Sequence, residues 1–169
     1  PLLLDRYGLR DRTVLFTLSR LSAEEQYKGH DEVLESLPEL TNTHSDLAYL
    51  IGGDGDDRER LTQKAERLGV SDRGIFAGYV PEEEKEAHYR LADAFVMPGR
   101  GEGFGIVYLE AMACGVPVVA SSADASREAV RHGQLGTVVD PGDPHNLKRG
   151  IHEALSVDPG VPDGLEYFS

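Results

Sequence analysis

Ala94-Phe-Val-Met-Pro-Gly-Arg-Gly-Glu-Gly-Phe-Gly-Ile-Val-Tyr-Leu-Glu-Ala-Met-Ala-Cys-Gly-Val-Pro-Val-Val-Ala120 holds an apolar run, a glycine-rich loop, a helical pattern and a second apolar run. The apolar run Ala94–Met97 has the length of a buried strand, and Phe104–Cys114 reads as a helix. A strand, a tight glycine loop and a helix start form a geometry that receives phosphate. Backbone amides point outward there, and the helix dipole favours an anion. Glu102 lies among the glycines and Glu110 about two helical turns further on. Carboxylates cannot bind phosphate, so their use beside it is to accept hydrogen bonds from hydroxyls. Phosphate next to hydroxyl acceptors suggests a sugar nucleotide. A capping glutamate in a flexible turn is the plainer reading. Glycines at alternate positions, however, allow a ligand close to the backbone, which a turn alone does not need.

Outward from this stretch, strand-length apolar runs recur at Val14–Leu18, Leu47–Ile51, Ile75–Ala77, Pro117–Ala120 and Thr137–Val139. Between them the apolar period turns helical, through Val33, Leu37 and Leu40, then Leu61, Ala65 and Leu68, then Leu147, Ile151 and Leu155. Continuous apolar strands joined by amphipathic helices predict an α/β, doubly wound, Rossmann-like parallel sheet of about six strands, covered on both faces. Ligands of such sheets bind outside the carboxyl ends of the strands. Ser19 and Arg20, Gly52-Gly-Asp-Gly55, Gly78-Tyr-Val-Pro81, the glycine loop and Ser121-Ser-Ala123 all fall at those ends.

Composition narrows the partners. The 169 residues suit one domain with a full core, and no apolar run is long enough to span a membrane. A net charge of −13 argues against nucleic acid or an anionic membrane surface as the main partner of this chain. The single cysteine, Cys114, cannot close an internal disulfide, and on an apolar helix face it reads as a small buried residue rather than a nucleophile. Residues 1–12 read as an interdomain linker, 13–156 as the nucleotide-sugar-binding domain and 157–169 as a turn-rich tail. Both ends suggest a domain cut from something longer.

Other constellations are weaker. Arg20 and Lys28 bracket the loop after the first strand, and lone loop cations are usually solvated. On the same rim as the glycine loop, they would neutralise a diphosphate as its charge grows on leaving. Asp54-Gly-Asp56-Asp57 could be a divalent-metal clamp, but a strand-to-helix turn with Asp56 or Asp57 as helix cap is the better reading. The six histidines show no metal-ligand spacing. The dinucleotide Gly-x-Gly-x-x-Gly after the first strand, the triphosphatase phosphate loop and the Gly-x-Ser-x-Gly elbow are all missing.

Ala92 to Pro98, Glu102-Gly-Phe-Gly105 and Glu110-Ala-Met-Ala-Cys-Gly-Val-Pro-Val-Val119 together resemble the nucleotide-sugar-binding half of family 4 (group 1) GT-B glycosyltransferases. The resemblance runs from about Val14 to Leu155 and adds Arg20 with Lys28-Gly29, Gly52–Gly55, Phe76–Val80, Glu128-Ala-Val130 and Gly136–Pro141. It implies a retaining hexosyltransferase, this chain being its C-terminal, donor-binding domain, with the N-terminal acceptor domain absent. By that resemblance Arg20 and Lys28 hold the donor diphosphate, and Glu102 accepts from sugar hydroxyls. Backbone amides of Gly103, Phe104, Gly105 and Ile106 surround sugar and phosphate, Glu110 grips the ribose, and Gly78, Tyr79 and Val80 contact the base. It further implies a UDP- or GDP-linked sugar as donor, a saccharide, lipid or small-molecule acceptor, and no cofactor or metal. A cytoplasmic location follows, with any contact to the inner membrane face made through the absent domain. Gly99 stands where the family often has serine, and Ser19 where it often has glycine. A nucleotide-binding regulatory module without catalysis and a sugar-nucleotide epimerase of the same fold remain alternatives.

Overall fold

A computed structural model of the chain describes residues 2–99, 106–122 and 136–157. Six strands form one parallel sheet: β1 (Thr13–Leu18), β2 (Leu47–Gly52), β3 (Gly74–Gly78), β4 (Ala94–Val96), β5 (Val118–Ser121) and β6 (Thr137–Val139). Their order is β3-β2-β1-β4-β5-β6, so the winding reverses between β1 and β4. The expected doubly wound sheet is therefore present, with strand limits within a residue or so of those read from the sequence.

The described α-helices are α1 (Leu2–Tyr7), α2 (His30–Thr43), α3 (Arg58–Arg67), α4 (Lys85–Leu91), α5 (Ile106–Ala113) and α6 (Pro144–Leu155). Alternation along the strands splits the core in two. Leu15, Tyr49, Ile51, Ala94 and Val96 face α2, α3 and α6, whose Val33, Leu37, Leu61, Leu147 and Ile151 join the same cluster. Val14, Phe16, Leu50, Phe95 and Met97 face the opposite way, toward Tyr89 of α4 and Tyr108, Ala111 and Met112 of α5. Helix α6 lies so close to β6 that a Cβ on Gly150 would stand 2.2 Å from Val139 Cγ1. Asp143 caps α6, accepting from the amides of His145 at 3.1 Å and Asn146 at 3.2 Å, with Pro144 in the first turn.

Two helices lie where no helical period is visible in the sequence. α1 falls inside the segment read as a linker, and Tyr7 holds it by donating from its hydroxyl to His88 Nε2 at 2.8 Å. His88 Nδ1 in turn donates to the Glu84 carbonyl at 2.8 Å, which fixes the tautomer. α4 has only seven residues, and its buried side chains are His88 and Tyr89, so no aliphatic stripe announces it.

Candidate functional site

The loops after β1, β2 and β3 interlock into one rim. Ser19 N–H donates to the Gly52 carbonyl at 3.1 Å, Leu21 N–H to Asp54 at 3.0 Å, and Gly53 N–H to Gly78 at 2.8 Å. The approach is close enough to require glycine. Gly53 has φ +111°, and a Cβ there would stand 1.8 Å from the Ser19 carbonyl oxygen.

The switch point between β1 and β4 is built by the same means. A 3₁₀ turn, Ala23–Lys28, ends at Gly29, whose φ of +100° starts α2. A Cβ on Gly29 would lie 2.8 Å from Pro98 Cδ and 2.9 Å from the Pro98 carbonyl oxygen. The backbone following Lys28 is thus pressed against the end of β4, where the glycine loop begins. Arg20 is exposed and Lys28 half-buried on this side. Gly99 is buried, and its N–H donates to the Met97 carbonyl at 2.9 Å. Ser19 Oγ donates to the Arg20 carbonyl at 3.1 Å and faces His30 Nε2 at 3.2 Å. His30 is buried at the first turn of α2, and burial pushes its pKa down to about 4, so it is neutral at pH 7.

The aspartates of the second loop serve the fold. Asp56 Oδ1 accepts from the Ala23 amide at 2.8 Å, which ties the second loop to the first. Asp57 occupies the cap position of α3, but its carboxylate makes no cap hydrogen bond and instead accepts from Arg60 Nε at 2.8 Å. Arg60 bridges on to Asp31, bonded at 2.7 and 2.8 Å, and Lys64 reaches Asp31 at 2.7 Å and Glu35 at 2.6 Å. These two cations hold the Asp31 carboxyl down at about 2 in spite of its burial.

Along the rim, Gly78 takes φ +74°, Tyr79 is 76 % exposed and Val80 is buried beneath it. Arg58 stacks over the Phe76 ring, 5.6 Å from its centroid, beside Gly78. Ile106 opens α5 with 69 % exposure, and Glu110 follows on the same helix, half-buried. Tyr89 donates its hydroxyl to Glu110 Oε1 at 2.8 Å, and Tyr108 donates to the Met97 carbonyl at 2.7 Å. Lys85, held by Glu82 at 2.8 Å, is near enough to Glu110 and Tyr79 for their charges to raise its pKa further. Cys114 is half-buried rather than buried, and desolvation raises its pKa, which keeps it a thiol.

Arg20, Lys28, Gly78, Tyr79, Val80, Ile106 and Glu110 therefore all stand on loops or helix starts at the carboxyl ends of the strands, or within two turns of them. Glu102, Gly103, Phe104 and Gly105 lie outside the described residues. Sequence reading passed over Tyr89, Lys85, Arg58 and His30. Each gains its place from contacts between elements, and no motif marks it.

The six-stranded, doubly wound parallel sheet is a Rossmann-like domain of the GT-B type. The sequence model of the family described as "Glycosyl transferases group 1" matches residues 6–161, and the chain belongs to that family. It is 44 % identical over 159 residues to a GDP-mannose-dependent alpha-(1-6)-phosphatidylinositol monomannoside mannosyltransferase of Mycolicibacterium smegmatis, a match that covers 90 % of this chain and 41 % of that one. It is 41 % identical over 153 residues to a phosphatidyl-myo-inositol mannosyltransferase of Mycobacterium leprae, covering 90 % and 39 %. The chain thus spans about two-fifths of the length of these relatives. Among solved structures, Anabaena Alr3699/HepE in complex with UDP superposes with a TM-score of 0.78 at 28 % identity, covering 91 % of this chain and 42 % of that one. The C-terminal domain of a group 1 glycosyl transferase (LpcC) from Francisella tularensis shares the fold, with a TM-score of 0.74 at 23 % identity over 90 % of this chain and 82 % of that one. No described helix is long and apolar enough to cross a membrane.

Proposed function

We propose that this chain is the donor-binding domain of a retaining glycosyltransferase that moves a hexose from a nucleotide-diphosphate sugar to an acceptor held by a second domain. The observation that carries the reading is the contact of Gly29 with Pro98. It presses the backbone after Lys28, in the connection that also bears Arg20, against the end of β4, where the glycine loop leading to α5 begins. Two cations and a helix N-terminus around one crevice suit a leaving diphosphate, whose negative charge grows as the glycosidic bond breaks. Glu102 accepts from the sugar's hydroxyls, the amides of residues 103–106 surround sugar and phosphate, and Glu110 takes the ribose. The base lies along Gly78, Tyr79 and Val80. No metal is required, because Arg20 and Lys28 supply the positive charge and Asp56 and Asp57 are engaged within the fold.

The relatives named for GDP-mannose-dependent transfer support a guanine nucleotide and a mannosyl group. The neighbour bound to UDP is more distant in sequence. Acceptor choice, and any contact with a membrane, belong to the second domain. Calorimetric titration with GDP, UDP and ADP, with and without EDTA, tests the reading. GDP binds saturably, EDTA leaves its affinity unchanged, and Glu110→Ala weakens it at least tenfold. Binding that needs a divalent cation, or that ignores Glu110, overturns the assignment. In the complete enzyme, Arg20→Ala or Lys28→Ala lowers kcat by about a hundredfold, the usual scale for losing one group that stabilises developing charge. The anomeric configuration of the product, read by NMR, tests retention.

A further inference from the structure

We propose that Tyr89 is a positioning residue that sets the Glu110 carboxylate for the vicinal hydroxyls of the donor's ribose, an inference that rests on the donor-site reading above. The hydroxyl of Tyr89 donates to Glu110 Oε1 at 2.8 Å. The Tyr89 ring is 1 % exposed and packs against Phe16 of β1 at 5.8 Å and Phe95 of β4 at 5.7 Å between centroids. Those two strands border the switch point, so Tyr89 refers the carboxylate to the part of the sheet that defines the crevice. Helix α5 is fixed to the same region independently, through the Tyr108 bond to Met97.

The terminal torsion of a glutamate is broad and nearly two-fold, so an unpartnered carboxylate turns freely and must be ordered when a ligand arrives. Ordering it beforehand removes that cost from binding. The choice of a phenol also matters. Among the described residues no lysine or arginine forms an ion pair with Glu110, and the Lys85 ammonium is bonded to Glu82. A neutral donor orients the carboxylate without cancelling its charge. Among the described residues, Tyr89 uses one of the carboxylate's roughly four acceptor positions, which leaves the others for hydroxyl donors. Burial and the bond to Glu110 raise the pKa of Tyr89, so the phenol remains a donor.

The test is the affinity ratio of GDP to 2′,3′-dideoxy-GDP, measured by calorimetry on the full chain and on Tyr89→Phe. The wild type prefers the ribonucleotide by at least tenfold. Tyr89→Phe brings the ratio to within threefold while the dideoxy affinity stays unchanged. A wild-type ratio near one overturns the ribose assignment of Glu110 itself. A wild-type preference that Tyr89→Phe retains, or an equal weakening of both nucleotides, overturns the positioning role alone. If Tyr89→Phe does not fold, 3-fluorotyrosine placed at position 89 keeps the ring and strengthens the donor. The ratio then shifts at least twofold, and an unchanged ratio overturns the proposal.

Discussion

Thr17 shows how much one buried hydroxyl can hold. Its Oγ1 donates to the Val96 carbonyl and accepts from the Tyr49 hydroxyl at 2.7 Å, all within the core. The bond joins β1 to β4 across the switch point, and burial raises the Tyr49 pKa, keeping that phenol protonated. Thr17→Val preserves shape but leaves a buried donor and a buried acceptor without partners. Chemical denaturation should show a loss of about 1–3 kcal/mol. A change under about 0.5 kcal/mol, the scale of an indifferent surface substitution, would mean that the two groups find other partners.

At the scale of the element, the first turn of α2 couples stability to pH. His30 is buried neutral, with its pKa lowered from 6.5 to about 4, chiefly by burial. The unfolded chain therefore binds more protons between these values, and stability falls as pH drops from about 6.5 to about 4. The full loss is about 3 kcal/mol at 1.36 kcal/mol per pKa unit. Above 6.5 the term is constant, since the ring is neutral in both states. Asp31, one residue on, works in a lower window. Its pKa falls from 3.8 to about 2, so its contribution is complete above 3.8 and is lost as pH falls through 2. Urea titrations at several pH values should show the slope between pH 6.5 and 4 in the wild type and its disappearance in His30→Gln. A slope unchanged by the substitution would assign it to other groups.

The whole molecule gives a prediction of its own. Rim loops from β1, β2 and β3 are bonded to one another, so a nucleotide that engages the rim stabilises the domain as a unit. At a free concentration of 100 times Kd, a ligand specific for the folded state adds about 2.7 kcal/mol. For a domain of this size that raises Tm by roughly 5–10 °C. Thermal unfolding at that GDP concentration should show the rise, and Glu110→Ala, by weakening binding at least tenfold, should cut it to about half or less.

The alternation of apolar strands with helical periods determined the fold class, because a buried parallel strand and an amphipathic helix each carry their own local pattern. The glycines at strand ends likewise showed where the rim would lie, since Gly53 and Gly78 adopt backbone angles that suit glycine. α1 and α4 escaped that reading because the first is short and the second buries aromatic rings in place of aliphatic side chains. Only the tertiary structure decided that Asp57 turns to Arg60 and leaves its helix uncapped, that His30 loses its proton, and that Tyr89 meets Glu110. Tyr7 meets His88 across 81 positions and Tyr89 meets Glu110 across 21. Such pairs follow from strand order and helix packing. A local period records which side of an element is buried, and the burial of that side against another element selects its partner.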